Sequence, residues 1–257
     1  MIDTHSHIYS EEFDADCDEV IARAQNAGVQ KIILPNVDSQ TLPRMLQLEA
    51  KYPSYCYAAI GLHPESVRED FPKELEVIRT ELERRKYIAI GEIGIDLYWD
   101  KTYQKEQTIA FRTQIEWAQE FSLPVIIHVR NSHRETIDAL EPYVNKGLKG
   151  IFHCFGGTPE EAAEIFSLGD FKLGIGGVVT FKNSGLAASL MHIPLENLVL
   201  ETDSPYLTPV PFRGKRNESS YLGYVSAKIA EIYNISADEV ISLTSETAYS
   251  VFKGLKI

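Results

Sequence analysis

Short apolar segments alternate with amphipathic segments along almost the whole chain. Each apolar segment is hydrophobic at nearly every position and is followed by a polar or glycine-containing break. Such continuous hydrophobicity predicts strands that are buried on both faces, as in parallel sheets covered by helices. The eight predicted strands are MIDTH (1–5), KIILPNV (31–37), CYAAIGLHP (56–64), YIAIGEIGID (87–96), PVIIHV (124–129), GIFHCF (150–155), FKLGIGG (171–177) and NLVLETDSP (197–205).

The segments between these strands carry many Glu, Lys, Ala and Leu residues and predict amphipathic helices. Strand and helix alternate repeatedly over 257 residues without a linker or low-complexity tract. This alternation predicts an α/β protein with a (β/α)8 TIM-type barrel, formed as a single domain over residues 1–257. A doubly wound open sheet is the structural alternative. The clearest helical segments are 14–28, 73–85, 106–121, 135–144 and 159–169.

Composition restricts the possible environment and partners. No apolar run is long enough to cross a membrane and no secretory signal is evident, so we expect a cytoplasmic protein with no membrane partner. Nothing in the sequence implies a protein partner. The three cysteines are scattered and suit reduced, packed thiols. The net charge of −12 argues against a protein that coats nucleic acid, although cations in a pocket can still receive a phosphate.

Ionisable residues interrupt these apolar strands near their C-terminal ends, where TIM barrels carry their catalytic groups. Burying such a group without a partner costs several kcal/mol, so partners are expected. Closure of the barrel would supply them, because it brings the strand ends into one ring. If residues 1–7 form a strand, His5 and His7 lie on the same face, together with Asp3. The strand-end residues are His5, His7, His63, Glu92, Asp96, His128, His153 and Asp203.

Four of these histidines and two carboxylates form the ligand inventory of a two-metal hydrolytic site. We expect His5, His7 and Asp203 to hold one divalent ion, His128 and His153 to hold the second, and Glu92 to bridge them. Imidazole ligands favour Zn²⁺ or Mn²⁺ over Mg²⁺. Such ions activate a water molecule, and Asp203 is the expected proton acceptor.

With these residues in view, the chain resembles the TatD family of metal-dependent deoxyribonucleases, which belong to the amidohydrolase-like barrels. The resemblance covers nearly the whole length. It rests on DTHSH (3–7), IGLHP (60–64), AIGEIGID (89–96), LPVIIHVR (123–130), FHCFGG (152–157), LETDSPYLTP (200–209) and RGKRNE (213–218).

This resemblance implies a TIM-type barrel and a phosphodiesterase that acts as a 3′-to-5′ exonuclease on DNA, often with Mg²⁺. It implies the same six metal ligands and places His63 beside them as a group that handles phosphate or protons. Tyr9 stands where the family typically has an acidic residue, Ser219 where it has Pro, and Thr247 where it has Asn. These departures concern loop shape or substrate preference. Catalytic roles are therefore expected for Asp203, Glu92 and His63.

Basic and aromatic residues near the strand ends are the expected substrate contacts, since a nuclease must neutralise phosphate. We expect Glu201 and Asp3 to support the metal ligands from behind, and Asp96 to orient a loop. Tyr98 and Trp99 could stack on a base, although plain packing is the favoured interpretation for the aromatic residues. The predicted substrate-binding residues are Arg130, Lys182, Arg213, Lys215 and Tyr206.

The sequence therefore predicts a hydrolase that uses two divalent ions (Mg²⁺, Mn²⁺ or Zn²⁺) to cleave phosphodiester bonds in DNA, at ends or in single strands. A small-molecule amidohydrolase or lactonase is the alternative, because the same barrel and ion pair also attack carbonyl carbon. A non-enzymatic binding protein is disfavoured by the full ligand set.

Overall fold

A computed structural model describes residues 1–255 of the chain. Eight strands are present in this range, and each lies within or overlaps a segment predicted from the hydrophobic pattern. Neighbouring strands pair in parallel and in sequence order. The strands are β1 (Ile2–Asp3), β2 (Lys31–Pro35), β3 (Cys56–Ala59), β4 (Ile90–Asp96), β5 (Val125–Arg130), β6 (Lys149–Phe152), β7 (Asp170–Ile175) and β8 (Leu198–Leu200).

Two short bridges close the strands into a ring. The Ile60 amide donates to the Ala89 carbonyl (3.1 Å) and joins the end of β3 to β4. Ser6 forms a parallel bridge with Ser204, and the His7 amide donates to the Ser204 carbonyl (2.8 Å), which joins β8 to β1. This closure confirms the predicted (β/α)8 barrel and excludes the open-sheet alternative.

Helices surround this ring, as expected for parallel strands that must be covered on their outer face. Four of the nine α-helices in residues 1–255 lie outside the five segments that were clearest in the sequence. Two of these, α8 and α9, both follow β8. The helices are α1 (Cys17–Asn26), α2 (Leu42–Lys51), α3 (Phe71–Arg84), α4 (Gln104–Glu120), α5 (His133–Leu140), α6 (Pro159–Leu168), α7 (Leu186–Leu190), α8 (Leu222–Tyr233) and α9 (Ala237–Val251).

The barrel interior is packed by apolar side chains near its N-terminal end. Ile33, Ile126 and Val199 come from different strands, and Val251 and Phe252 at the end of α9 pack against this cluster. The N-terminal end of the barrel is therefore filled, which leaves the C-terminal end for polar groups. No helix among residues 1–255 has the length and apolar character needed to cross a membrane.

The strands are shorter than the apolar runs that predicted them. β1 covers only Ile2–Asp3, so His5 and His7 lie beyond its end instead of within a seven-residue strand. His63, His153 and Asp203 likewise follow their strands, and only Glu92, Asp96 and His128 lie inside one. The chemically capable residues therefore project from the segments that leave the barrel at its C-terminal mouth.

Candidate metal centre

The six predicted metal ligands, together with His63, meet at the C-terminal mouth of the barrel. Glu92 lies at their centre, and its two carboxylate oxygens face two groups of imidazoles. Its side chain is almost fully buried. Glu92 is therefore placed to contribute to two neighbouring cation sites.

The first group consists of His5, His7 and Asp203 around the Oε2 atom of Glu92. His5 Nε2 lies 3.1 Å from His7 Nε2 and 3.0 Å from Glu92 Oε2. Asp203 Oδ1 lies 3.8 Å from His5 Nε2 and 3.7 Å from His7 Nε2. Ligand atoms that surround one ion at about 2.1 Å are themselves roughly 3.0–3.5 Å apart, so the spacing of His5, His7 and Glu92 suits a shared divalent cation, and Asp203 lies slightly farther out.

The second group lies around the Oε1 atom of Glu92. His128 Nδ1 is 2.8 Å from this oxygen, and His63 Nε2 is 3.3 Å from both the oxygen and His128 Nδ1. The sequence paired His128 with His153, whereas the structure places His63 beside His128. The second candidate site therefore has one more imidazole at hand than expected.

His153 lies between the two groups. Its ring stacks on that of His5 with the centroids 3.4 Å apart, and its Nε2 atom is 3.8 Å from both Glu92 Oε1 and Asp203 Oδ1. The ring centroids of His128 and His153 are 6.4 Å apart. His153 can thus contribute to either group.

The donor set fits divalent cations better than it fits a hydrogen-bonded core. Glu92 Oε2, Asp203 Oδ1 and the Nε2 atoms of His5 and His7 converge, and deprotonated carboxylates can only accept hydrogen bonds. His5 Nδ1 is buried and has no hydrogen-bond partner among residues 1–255. Such a concentration of lone pairs is what a metal ion satisfies.

Burial and the neighbouring imidazoles shift the pKa values of the two carboxyl groups in the cluster. Burial alone raises the pKa of Glu92, but the imidazoles of His5, His63 and His153 outweigh it and hold that pKa well below its ordinary value. Burial raises the pKa of Asp203 to about 6, and the imidazoles of His153 and His7 oppose the rise. The neighbouring imidazoles therefore favour the ionised form of Glu92, while burial favours the protonated form of Asp203 more than in an exposed aspartate.

Three of the histidines have a partner on the ring nitrogen that faces away from the cluster. His128 Nε2 lies 2.8 Å from Asp96 Oδ2, and His153 Nδ1 lies 3.0 Å from Glu201 Oε1, at ion-pair distance but without hydrogen-bond geometry. His7 Nδ1 lies 2.9 Å from the Tyr9 hydroxyl. Partners of this kind fix the tautomer and orientation of metal-binding imidazoles.

Two of these partners were not assigned to histidines from the sequence. Asp96 was expected to orient a loop. Its Oδ1 atom does accept from the Tyr98 amide (2.9 Å), while Oδ2 contacts His128. Tyr9 appeared only as a departure from the family pattern. The available signals were the position of Tyr9 just after DTHSH and that of Asp96 at the end of AIGEIGID, the motif that contains Glu92.

Close approach of the backbones brings β4 and β5 together at this point. Gly94 pairs in register with His128, and a Cβ atom at Gly94 would lie only 2.0 Å from the His128 carbonyl oxygen. Gly94 also has a φ of +151°. A side chain here would therefore push His128 away from Glu92.

Asp3 lies fully buried behind the first group of ligands. It accepts from the Thr202 amide (3.0 Å), the Thr202 hydroxyl (2.6 Å) and the Ser219 hydroxyl (2.7 Å). Thr202 directly precedes Asp203, so Asp3 ties the Asp203 segment to β1. Ser219 is one of the positions at which the chain departs from the family pattern, and here it supplies a hydrogen bond.

The predicted substrate residues surround the mouth and are exposed. Arg130 lies over the Tyr98 ring, with its guanidinium carbon 4.0 Å from the centroid, and Arg213 lies over Phe181 at 3.7 Å. Neither these two arginines nor Lys182 and Lys215 form an ion pair within residues 1–255.

Arg216 differs from the other basic residues of its loop, because it pairs with Asp16 at 2.7 Å. It therefore anchors the loop. Tyr98, Trp99 and Tyr206 are 50, 68 and 56% exposed, so about half or more of each ring is open to solvent, and the preference for plain packing over stacking stays a prediction.

Comparison with known proteins agrees with this architecture. The family model described as TatD related DNase matches residues 2–253. The uncharacterized metal-dependent hydrolase YabD of Bacillus subtilis is 39% identical over 98% of this chain and 99% of its own length. The 3'-5' ssDNA/RNA exonuclease TatD of Pectobacterium carotovorum is 34% identical, with the same coverage of both chains.

A solved structure of similar fold is that of YJJV, a TatD homologue from Escherichia coli. It superimposes with a TM-score of 0.91, at 32% identity and over 98% of both chains. The matches extend over almost the whole chain, and histidines and carboxylates gather at the mouth of the barrel. Both observations lead to the same conclusion: the chain belongs to the TatD family of metal-dependent hydrolases.

Proposed function

We propose that this protein is a nuclease that hydrolyses phosphodiester bonds in DNA, from the 3′ end of single strands, with two divalent cations. The observation that carries the proposal is the position of Glu92, whose two oxygens each face a separate group of imidazoles. Such an arrangement is typical of two-metal phosphodiesterases. The name of the Pectobacterium relative, a 3'-5' ssDNA/RNA exonuclease, supports the same substrate class.

His5, His7, Asp203 and Glu92 Oε2 would hold one cation. His63, His128, His153 and Glu92 Oε1 offer ligands for the second. Bound cations supply Lewis acidity and lower the pKa of a coordinated water molecule. The imidazole-rich set favours Zn²⁺ or Mn²⁺ over Mg²⁺.

Asp203 is the proposed general base. Burial raises the pKa of Asp203 to about 6 and an adjacent cation would lower it, so the carboxylate would be ionised at pH 7 and able to accept the proton of an attacking water. The same carboxylic acid then protonates the departing 3′ oxygen. His63 lies beside His128 and Glu92, where it can orient a phosphate oxygen if it is not itself a ligand.

Substrate would be held by the exposed residues at the mouth. Arg130, Lys182, Arg213 and Lys215 offer charges without carboxylate partners in the described part of the chain, and phosphate contacts of this kind position a strand without reading its sequence. Tyr206 follows Asp203 by three residues and is 56% exposed, so its ring is available to the terminal nucleotide.

A nuclease assay with end-labelled DNA tests the proposal. Single-stranded DNA labelled at the 3′ end should release labelled mononucleotide from the first time point, whereas 5′-labelled DNA should shorten progressively. The variant Glu92→Gln should lose this activity and the surface variant Glu83→Gln should retain it. A parallel panel of lactones and amides tests the alternative, and turnover of those compounds without nucleotide release would overturn the proposal.

A further inference from the structure

Large exposed apolar side chains are concentrated at the mouth of the barrel. Trp99 is 68% exposed, although tryptophan is usually among the more deeply buried residues. It follows β4 by three residues and lies beside Tyr98. The loops after β4 and β8 together carry Tyr98, Trp99, Tyr206, Leu207 and Val210 as exposed apolar side chains.

Arg130 and Tyr98 hold the indole of Trp99 in a defined orientation. The Tyr98 and Trp99 rings meet edge to face, with centroids 4.7 Å apart and an angle of 86°. The Arg130 guanidinium carbon lies 4.0 Å from the Tyr98 centroid and 5.2 Å from that of Trp99. The guanidinium covers Tyr98 more closely, and the indole remains the more exposed of the two rings.

Trp99 also lines a cavity of about 430 Å³ together with Asp96 and Gln107. This volume lies in the range of small-molecule sites and is large enough for a nucleoside. Asp96 contacts both this cavity and, at 2.8 Å, His128 of the candidate metal centre. The cavity is therefore directly beside the place where a phosphate would be cleaved.

The charges around the cavity determine which part of a nucleotide suits it. Glu65, Asp96 and Asp100 line it, with Arg68 as the one cation among its lining residues. Three carboxylates repel a phosphate, but they can accept hydrogen bonds from the exocyclic amines of a base. The cavity is thus suited to a nucleobase, and the phosphate belongs on the side of Arg130 and the metal ligands.

We propose that Trp99 stacks on a nucleobase of the substrate, next to the phosphodiester bond that is cleaved. The proposal rests on the proposed nuclease function and names one substrate contact of the same site. Every base offers a π-face, so this contact would be tolerant of sequence. It would also favour an unpaired strand, because internal bases of a duplex have both faces covered by their neighbours.

A substrate that lacks the base separates stacking from other contacts. KM is measured on a single-stranded oligonucleotide of about six nucleotides and on the same strand with abasic residues at its 3′ end. Trp99→Ala should raise KM about tenfold or more on the normal strand and much less on the abasic strand. Trp99→Phe should recover most of the loss, and Ile109→Ala, which removes another exposed apolar side chain, should match the parent.

Fluorescence gives a second readout that does not depend on turnover. The chain has two tryptophans, Trp99 and Trp117, so Trp117→Phe leaves Trp99 as the only indole. The normal strand should quench this signal and the abasic strand should quench it much less.

Equal KM values for Trp99→Ala and the parent on the normal strand, with DNA still hydrolysed, would overturn the stacking proposal and leave the nuclease function standing. Equal losses on the normal and abasic strands would also overturn it. A parent protein that neither binds nor cleaves either strand would instead overturn the proposed function.

Discussion

The Tyr9 hydroxyl lies between His7 Nδ1, at 2.9 Å, and the Pro35 carbonyl oxygen, at 2.5 Å. A hydroxyl has one proton, and the carbonyl oxygen can only accept it. The oxygen of Tyr9 must therefore accept a hydrogen bond from His7 Nδ1–H. This leaves the lone pair of His7 on Nε2, the atom that faces Glu92 and Asp203.

Tyr9→Phe should therefore weaken metal binding. Without the hydroxyl, nothing in this contact holds His7 in the tautomer with a free Nε2 lone pair. Loss of a comparable partner costs about ten- to hundredfold in metal affinity. Titration calorimetry with Mn²⁺ or Zn²⁺ measures the change. Tyr87→Phe is the matched control, because the buried Tyr87 hydroxyl has no partner in residues 1–255. Unchanged affinity in Tyr9→Phe would contradict the tautomer argument.

Glu92→Gln should reduce the number of tightly bound ions. The parent is expected to bind two divalent ions per chain, because each Glu92 oxygen faces its own group of imidazoles. The amide replaces one of these oxygens with a donor and removes the negative charge. Elemental analysis after dialysis against a buffer with little metal should give about one ion or none. The same two ions in parent and variant would show that Glu92 does not bridge them.

Asp3→Asn should destabilise the protein. The two oxygens of Asp3 accept hydrogen bonds from Thr202 and Ser219, and an amide nitrogen would remove one of these acceptors from a fully buried site. A buried polar group left unsatisfied costs about 1–3 kcal/mol of unfolding free energy. Urea unfolding measures the loss, with the exposed Asp170→Asn as a control. Equal midpoints for the two variants would argue against a structural role of Asp3.

The pattern of hydrophobic residues along the sequence predicted the barrel because the strands are largely buried on both faces, as in Val125–Ile127. The same pattern identified Glu92 and His128 as candidate metal ligands, since ionisable residues are conspicuous in apolar strands. It could not reveal that His63 lies beside His128, because this contact depends on how the segment after β3 turns into the mouth. It also missed Tyr9, whose role depends on the distant Pro35 carbonyl.

Substrate contacts were harder to predict for the same reason. Arg213 and Arg216 are three residues apart in one basic stretch, yet Arg216 pairs with Asp16 and Arg213 lies over the Phe181 ring. Sequence gives the charge of both residues and not the position of their partners, which come from distant parts of the chain.

The ion pair between Glu218 and Arg23 should make stability depend on acid. Arg23 Nε and Nη2 contact the carboxylate at 2.9 and 2.6 Å, and the pair joins the loop after β8 to α1. Burial alone raises the pKa of Glu218, but hydrogen bonds from Arg23 and Ser220 outweigh it and lower that pKa below its ordinary value of 4.5. The stabilisation is therefore fully present above this value and is lost as the pH falls through the lower folded-state pKa.

Because Arg23 is partly exposed, Glu218→Gln should cost only about 1 kcal/mol at pH 7. Urea unfolding between about pH 7 and pH 3 should show the parent and variant converging at the acid end, since both then carry a neutral side chain. Glu83→Gln, which breaks an exposed pair with Arg79, should have a smaller effect throughout, and a constant gap for Glu218→Gln would exclude the ion pair as its cause.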